Sequence, residues 1–261
     1  MRLLRLRLVG EFAVYQDGRL LASGEVGSRK ARTLLALLAA QRGRLVPVDR
    51  IVDALWRNAP QRPVENVATM VSRLRAAVGR DVISGGRIGY RLAPAVQVDL
   101  DCAAAMVGAA EAHMADRKPY LAFGAAQQAL DLLLADDMVL ADYPAAAWAE
   151  PPRARHAGLL RRARHVAAVE ALQTGFARAA EAIARSAVAA DPFDETAYRA
   201  LMAAYDAVGE PAQALIAYER LRVMLARELG IEPDHATRRL YVSILRHNLS
   251  TSGAITRESR V

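Results

Sequence analysis

The chain has 261 residues, 53% apolar and 24% charged, which suits two ordinary domains and excludes a disordered or collagen-like chain. Its uncharged apolar runs, such as residues 33–40, are far short of the roughly 20 residues that span a bilayer; Arg2, Arg5 and Arg7 break up what would be a signal peptide, and the lone Cys102 excludes an internal disulfide, so a cytoplasmic protein without a membrane partner is expected. The net charge of +7 is uneven: residues 1–97 carry 17 Lys and Arg against 7 Asp and Glu, residues 98–261 carry 18 against 21, and alanine divides likewise, 13 against 42.

In chain order, Leu4, Leu6 and Leu8 alternate with Arg5, Arg7 and Val9, the period of a strand. Asp17-Gly18, between residues 12–15 and 19–22, is a hairpin signal. Ser28 is placed to cap a helix through Ala40 with the apolar stripe Leu34, Leu35, Leu37 and Leu38, and residues 48–56 read as a second, shorter helix. After Pro60 and Pro63 comes a third, over about residues 63–78, in which Val67, Val71, Leu74 and Val78 recur at i, i+4, i+7 and i+11 and form a buried stripe. The opposite face carries Glu65, Asn66, Thr69, Ser72, Arg73 and Ala76, with Arg75 on its flank; it is small, polar and cationic. Residues 81–84 and 87–92 then read as two short strands joined by Gly85-Gly86. A small sheet, three helices and a closing hairpin make a winged helix-turn-helix.

Such a helix fits the major groove of B-DNA. Arg73 could fork onto guanine O6 and N7, while Asn66, Thr69 and Ser72 are short enough to reach base edges or phosphates. Arg62 and Arg75 flank the helix as phosphate contacts, and Arg87 or Arg91 on the wing would meet the minor groove or its backbone. Arg29 and Lys30, near the first helix N-terminus, are further phosphate candidates. A single exposed arginine is often merely solvated, whereas a set of them sharing one expected surface points to an anionic partner.

These residues also resemble a family. Residues 34–39, Leu55-Trp56, the segment Asn66 to Arg75 and the wing Gly89-Tyr90 resemble the DNA-binding domain of OmpR/PhoB-type regulators, and more closely the Streptomyces antibiotic regulatory protein family, in which that domain stands N-terminally without a receiver domain. Ala68 and Met70 depart from the Gln and Tyr that members often carry there. The resemblance implies that Tyr90 belongs to the DNA-contacting wing.

From Asp99 the pattern is helical throughout, with breaks at residues 116–119, 141–152, 173–175, 191–192, 209–211 and 230–233. Gly175 and Gly209, Ala180 and Ala214, Ala171 and Tyr205, and Ala187 and Leu221 are each 34 residues apart, the period of a tetratricopeptide repeat. Residues 191–195, 201–205, 214–219 and 228–233 resemble the bacterial transcriptional activator domain of the same family. The expected architecture is therefore mainly α: a winged helix over residues 1–97, an all-α tetratricopeptide-like domain over 98–247 and a flexible tail over 248–261. The resemblance implies an activator that binds direct repeats in double-stranded DNA near a promoter, commonly as two self-associating copies, and recruits RNA polymerase with its sigma factor, usually for antibiotic or other secondary-metabolite genes.

Residues 98–152 hold nine acidic residues against Arg117 and Lys118, and Arg153, Arg155, Arg161, Arg162 and Arg164 follow directly. These charges could meet a polymerase surface, DNA or each other. No catalytic or metal constellation is visible and no cofactor is expected: His113, His156, His165, His235 and His247 lack metal-ligand spacing, Cys102 reads as a packed small residue, and residues 85–89 are not a phosphate-binding loop. A tetratricopeptide-type interaction scaffold, and a DNA-binding repressor or effector-responsive regulator, remain alternatives to an activator.

Overall fold

The computed structural model describes the backbone of residues 3–258 and the side chains of residues 3–247. Strand β1 (Leu4–Arg7) pairs antiparallel with β2 (Ala13–Gln16), Leu6 opposite Val14, and buries Leu4 and Leu6 while Arg5 faces solvent. Asp17 and Gly18 both have positive φ, 51° and 83°, a turn whose twist matches the flanking strands, and β3 (Arg19–Leu20) returns from it. β7 (Gln97–Val98) lies parallel to β1 on its other edge, giving the order β3-β2-β1-β7. Two-residue strands such as β7, and the single turn α1 (Ser23–Val26), carry no period that could be read in sequence.

Helix α2 (Arg29–Ala40) starts where Ser28 Oγ accepts the Ala31 N–H, and its leucine stripe is buried. β4 (Val46–Pro47) leads into α3 (Val48–Leu55), and α4 (Pro63–Val78) follows, with proline at its first position, where no N–H is needed. Val67, Val71, Leu74 and Val78 are all buried as expected, each contributing about 1.5–3 kcal/mol of transfer free energy. β5 (Ile83–Gly85) and β6 (Gly89–Leu92) close the wing in a second sheet ordered β4-β6-β5.

The remainder is helical: α5 (Asp99–Ala115), α6 (Pro119–Leu133), α7 (Glu150–Gln173), α8 (Ala177–Ala190), α9 (Glu195–Ala207), α10 (Pro211–Leu229) and α11 (His235–Glu258). Gly175 and Gly209 occupy equivalent interhelical turns, α7 to α8 and α9 to α10, with φ of 83° and 78°, which explains the 34-residue recurrence of a residue without Cβ. Asp194 caps α9 by accepting the Thr196 and Ala197 N–H groups, and Gly230 ends α10 in the left-handed region at φ 68°. Tyr198, Leu201, Ala214, Tyr218, Leu221 and Leu225 pack into one core. The backbone of α11 covers residues 248–258 of the expected flexible tail; residues 259–261 lie outside the described residues.

Two compact units can be described: one comprises the residues up to Met106 with Ala129–Leu160, and the other Val107–Gln128 with the residues from Arg161 on. Residues 134–140, expected to continue the helical pattern, are irregular, as are residues 141–146 within the expected break. Their backbone joins the first unit: Leu140 N–H donates to Leu8 O (2.7 Å), Ala141 N–H to Gly10 O (2.9 Å), and Phe12 N–H to the Asp142 carboxylate (3.0 Å). Pro151 and Pro152 do not break a helix but sit in the first turn of α7.

Candidate nucleic-acid interface

The outward face of α4 is built by the burial of its opposite stripe. Asn66, Thr69, Ser72 and Arg73 are all exposed, as their spacing predicts, and Arg62 is exposed at the N-cap. Among the described residues Arg62, Arg73 and Arg87 make no ion pair or hydrogen bond through their side chains, so their guanidinium groups are available to an anionic partner. Arg87 is exposed in the β5–β6 turn; Arg91 is exposed on β6 and donates through Nε to Ser84 Oγ (3.1 Å).

Other expected contacts fall elsewhere. Arg75 is half-buried, and its Nε donates to Ile83 O (3.0 Å) with a longer contact to Gly85 O (3.4 Å), so it fastens α4 to the wing strand rather than lying free for a phosphate. Tyr90, expected at the wing surface, is 5% exposed: β6 lies between β4 and β5, and its inward residues enter the core. Lys30 places Nζ 4.7 Å from the centre of the Trp56 ring, a cation–π contact that leaves the ammonium at the surface. Arg29 borders a cavity of about 420 Å³ lined also by Ser23, Gly27, Arg32, Asp142 and Tyr143, so it shares that rim with a carboxylate.

Part of the acidic segment meets the arginine cluster after it. Arg153 donates to the Val139, Tyr143 and Pro144 carbonyls and to Glu150, clamping the irregular stretch. Arg155 pairs with Asp101 (2.8 Å), which Arg42 also reaches (3.1 Å), and Arg162 pairs with Glu111 (2.5 Å). The hydrogen bond from Arg162 holds the Glu111 carboxyl below the usual range. Asp99 is buried, and accepts the Leu8 and Val9 N–H groups (2.8 Å each). Burial pushes its carboxyl up, against the downward pull of those bonds and of Arg7. Of the nine acidic residues in 98–152, only Asp131 and Asp137 make no such contact among the described residues. The partners are not legible in sequence because the pairs span up to 130 positions.

Burial raises the Cys102 thiol, the direction opposite to an activated nucleophile. Among the described residues no helix is long and apolar enough to cross a membrane.

Comparison with known proteins agrees with this geometry. Residues 98–245 match the bacterial transcriptional activator domain, and residues 26–92 match the family described as transcriptional regulatory protein, C terminal. The regulatory protein AfsR of Streptomyces coelicolor is 31% identical over 93% of this chain, which spans about a quarter (24%) of that relative. The transcriptional regulatory protein MoaR1 of Mycobacterium tuberculosis is 31% identical over 85% of this chain and 73% of its own length. A solved structure of Mycobacterium tuberculosis EmbR in complex with a low-affinity phosphopeptide superposes with a TM-score of 0.82 at 26% identity, covering all of this chain and 72% of that one. A winged helix ahead of an activator-type helical domain defines a DNA-binding transcriptional regulator. The chain belongs to the Streptomyces antibiotic regulatory protein family.

Proposed function

We propose that the protein is a cytoplasmic, sequence-specific transcription activator that places α4 in the major groove, binds direct repeats near a promoter as two copies and recruits RNA polymerase with its sigma factor to secondary-metabolite genes. The observation that carries the reading is the exposed α4 face, on which Asn66, Thr69, Ser72 and unpaired Arg73 stand opposite a wholly buried stripe. In this reading Arg73 reads guanine, its short polar neighbours reach base edges, and Arg62, Arg87 and Arg91 hold phosphates beside it. Arg29 and Lys30 are secondary phosphate contacts, and Arg75 acts by holding the wing.

The test is selection of bound genomic fragments at physiological salt, followed by transcription from the best fragment with purified RNA polymerase. Tandem motifs with centres about 10–11 base pairs apart, on one face of the duplex, and increased transcript are expected. No enrichment over random DNA points instead to an interaction scaffold, and enrichment with reduced transcript to a repressor. Inserting half a helical turn between the two motifs should abolish cooperative binding; full binding after that insertion refutes the tandem arrangement.

A further inference from the structure

Three arginines that the DNA reading does not use gather at one cavity of the first unit. It holds about 280 Å³ and lies where the turn after α2 meets the starts of α5 and α7; Arg42, Arg44 and Arg155 line it together with Leu8, Leu100 and Pro152. The turn is shaped to bring the first two arginines there. Arg42 and Gly43 both adopt left-handed conformations, with φ of 54° and 71°, and the Arg44 N–H donates to Gln41 O (3.1 Å). That conformation is unfavourable for a residue with a Cβ, and it persists where the surrounding structure dictates it.

The cationic groups outnumber their acidic partner. Asp101 meets two of the three guanidinium groups through a single oxygen, Oδ1, which lies 3.1 Å from Arg42 Nε and 2.8 Å from Arg155 Nη1. Arg44 is exposed and makes no ion pair or side-chain hydrogen bond among the described residues. Arg155 Nη2 is buried and has no hydrogen-bond partner among them either. Cations that follow a helix often serve its terminal carbonyls, yet none of these three guanidinium groups donates to a carbonyl of α2. A buried charged donor without an acceptor is costly, and folded proteins as a rule supply one.

We propose that this cavity binds a small phosphate-bearing molecule, with its phosphate on Arg44 and Arg155 Nη2, Arg42 at the rim, and a compact carbon body against Leu8, Leu100 and Pro152. A phosphate presents three acceptor oxygens to separate guanidinium groups, whereas a planar carboxylate is taken up by one or two, as Asp101 is. The apolar wall gives the carbon atoms of a free ester a place, which a phosphate within a duplex does not need. Because the walls belong to the winged helix on one side and to α5 and α7 on the other, the bound molecule would fasten these segments of the first unit together. The proposal is independent of the reading of α4.

The test is calorimetric titration of the full chain, without DNA, by inorganic phosphate, ribose 5-phosphate, ribose and sodium chloride at matched ionic strength. Saturable one-to-one binding of both phosphates is expected, tighter for the ester, with none for ribose or chloride. Arg44→Gln breaks no contact within the chain, so it should weaken phosphate binding about tenfold and leave the thermal midpoint of the free protein unchanged. Arg155→Gln should weaken binding at least as much; if that variant fails to fold through loss of the Asp101 pair, Arg44→Gln decides alone. No saturable binding of either phosphate, or equal affinity in Arg44→Gln, overturns the inference. Inorganic phosphate bound as tightly as the ester overturns the role of the apolar wall. If free phosphates fail to bind while Arg44→Gln lowers the salt slope of DNA binding, these arginines belong to the duplex backbone and the inference is likewise overturned.

Discussion

Arginines on α4 and its wing differ from those after residue 150 in what they touch, although composition makes the two groups look alike. Among the described residues Arg62, Arg73 and Arg87 touch no carboxylate, whereas Arg153, Arg155 and Arg162 are each paired with an acid from residues 98–152. A surface that binds an anion must leave its cations unneutralised, while a surface that holds a fold together satisfies them. The basic excess of residues 1–97 thus sits partly on a face free to act outward, whereas several charges of the remainder are paired within the chain. Removing a paired charge should therefore affect stability, and removing a free one should affect binding.

The largest effect is expected at Asp99. Its carboxylate accepts the Leu8, Val9 and Leu100 N–H groups in a buried setting, so Asp99→Ala removes the partner of three donors and should lower stability by about 2–4 kcal/mol, read as a shift in urea midpoint at constant slope. Retained stability in that variant would mean that the acidic segment is not a structural brace.

Next is Arg73→Ala, expected to weaken binding to the selected site by about 1–3 kcal/mol and to relax the preference at one base pair, with the thermal midpoint unchanged. Arg75→Ala should behave differently, because it releases the Ile83 carbonyl rather than a free cation: binding should weaken together with faster hydrogen exchange in β5. If Arg75→Ala altered binding without any change in β5 protection, its role would be the direct phosphate contact expected from sequence.

Much of this was legible in the sequence, for reasons tied to period. The α4 boundaries and stripe follow from the i, i+4, i+7 recurrence of Val67, Val71 and Leu74, and the hairpin at Asp17-Gly18 from the positive φ that this pair tolerates. Tyr90 lies on the inward face of β6 with Leu92 while Arg91 between them faces outward, an alternation of two that the sequence carries; only the family resemblance put Tyr90 at the DNA surface. Arg75 lay on the flank of the helical wheel, where one strand's carbonyls decide its partner. Residues 134–140 read as helix because alanine, leucine and methionine favour one, while the contact of Leu140 to Leu8, like that of Asp142 to Phe12, is set by tertiary pairing alone.

A smaller effect should come from His165 on α7, whose imidazole is driven below its usual value by burial, with Asp194 and Glu111 opposing and Arg199 reinforcing that shift. A depressed value means that folding favours the neutral ring. Its stabilising contribution is complete above the ordinary imidazole range and is lost as pH falls through that range toward the lowered value. Stability measured between neutral and mildly acidic pH should therefore decline, and His165→Gln should flatten the decline; an equal slope in both proteins excludes this ring as its source.

The smallest effect, and the one that tests the contrast between paired and free arginines most directly, belongs to Arg162→Ala. The Arg162–Glu111 pair is close, at 2.5 Å, but both side chains are substantially solvent-exposed, 48% and 39%, so water screens it and its loss should cost no more than about 1 kcal/mol. The readout specific to the pair is the Glu111 carboxyl itself: without the guanidinium, its titration followed by NMR should move back up toward the usual carboxylate range. DNA affinity and its salt slope should stay as in wild type, because a cation already neutralised releases no counterion on binding. If Arg162→Ala instead lowered the salt slope as Arg73→Ala does, pairing within the chain would not be what distinguishes the two groups, and the candidate interface would extend onto α7.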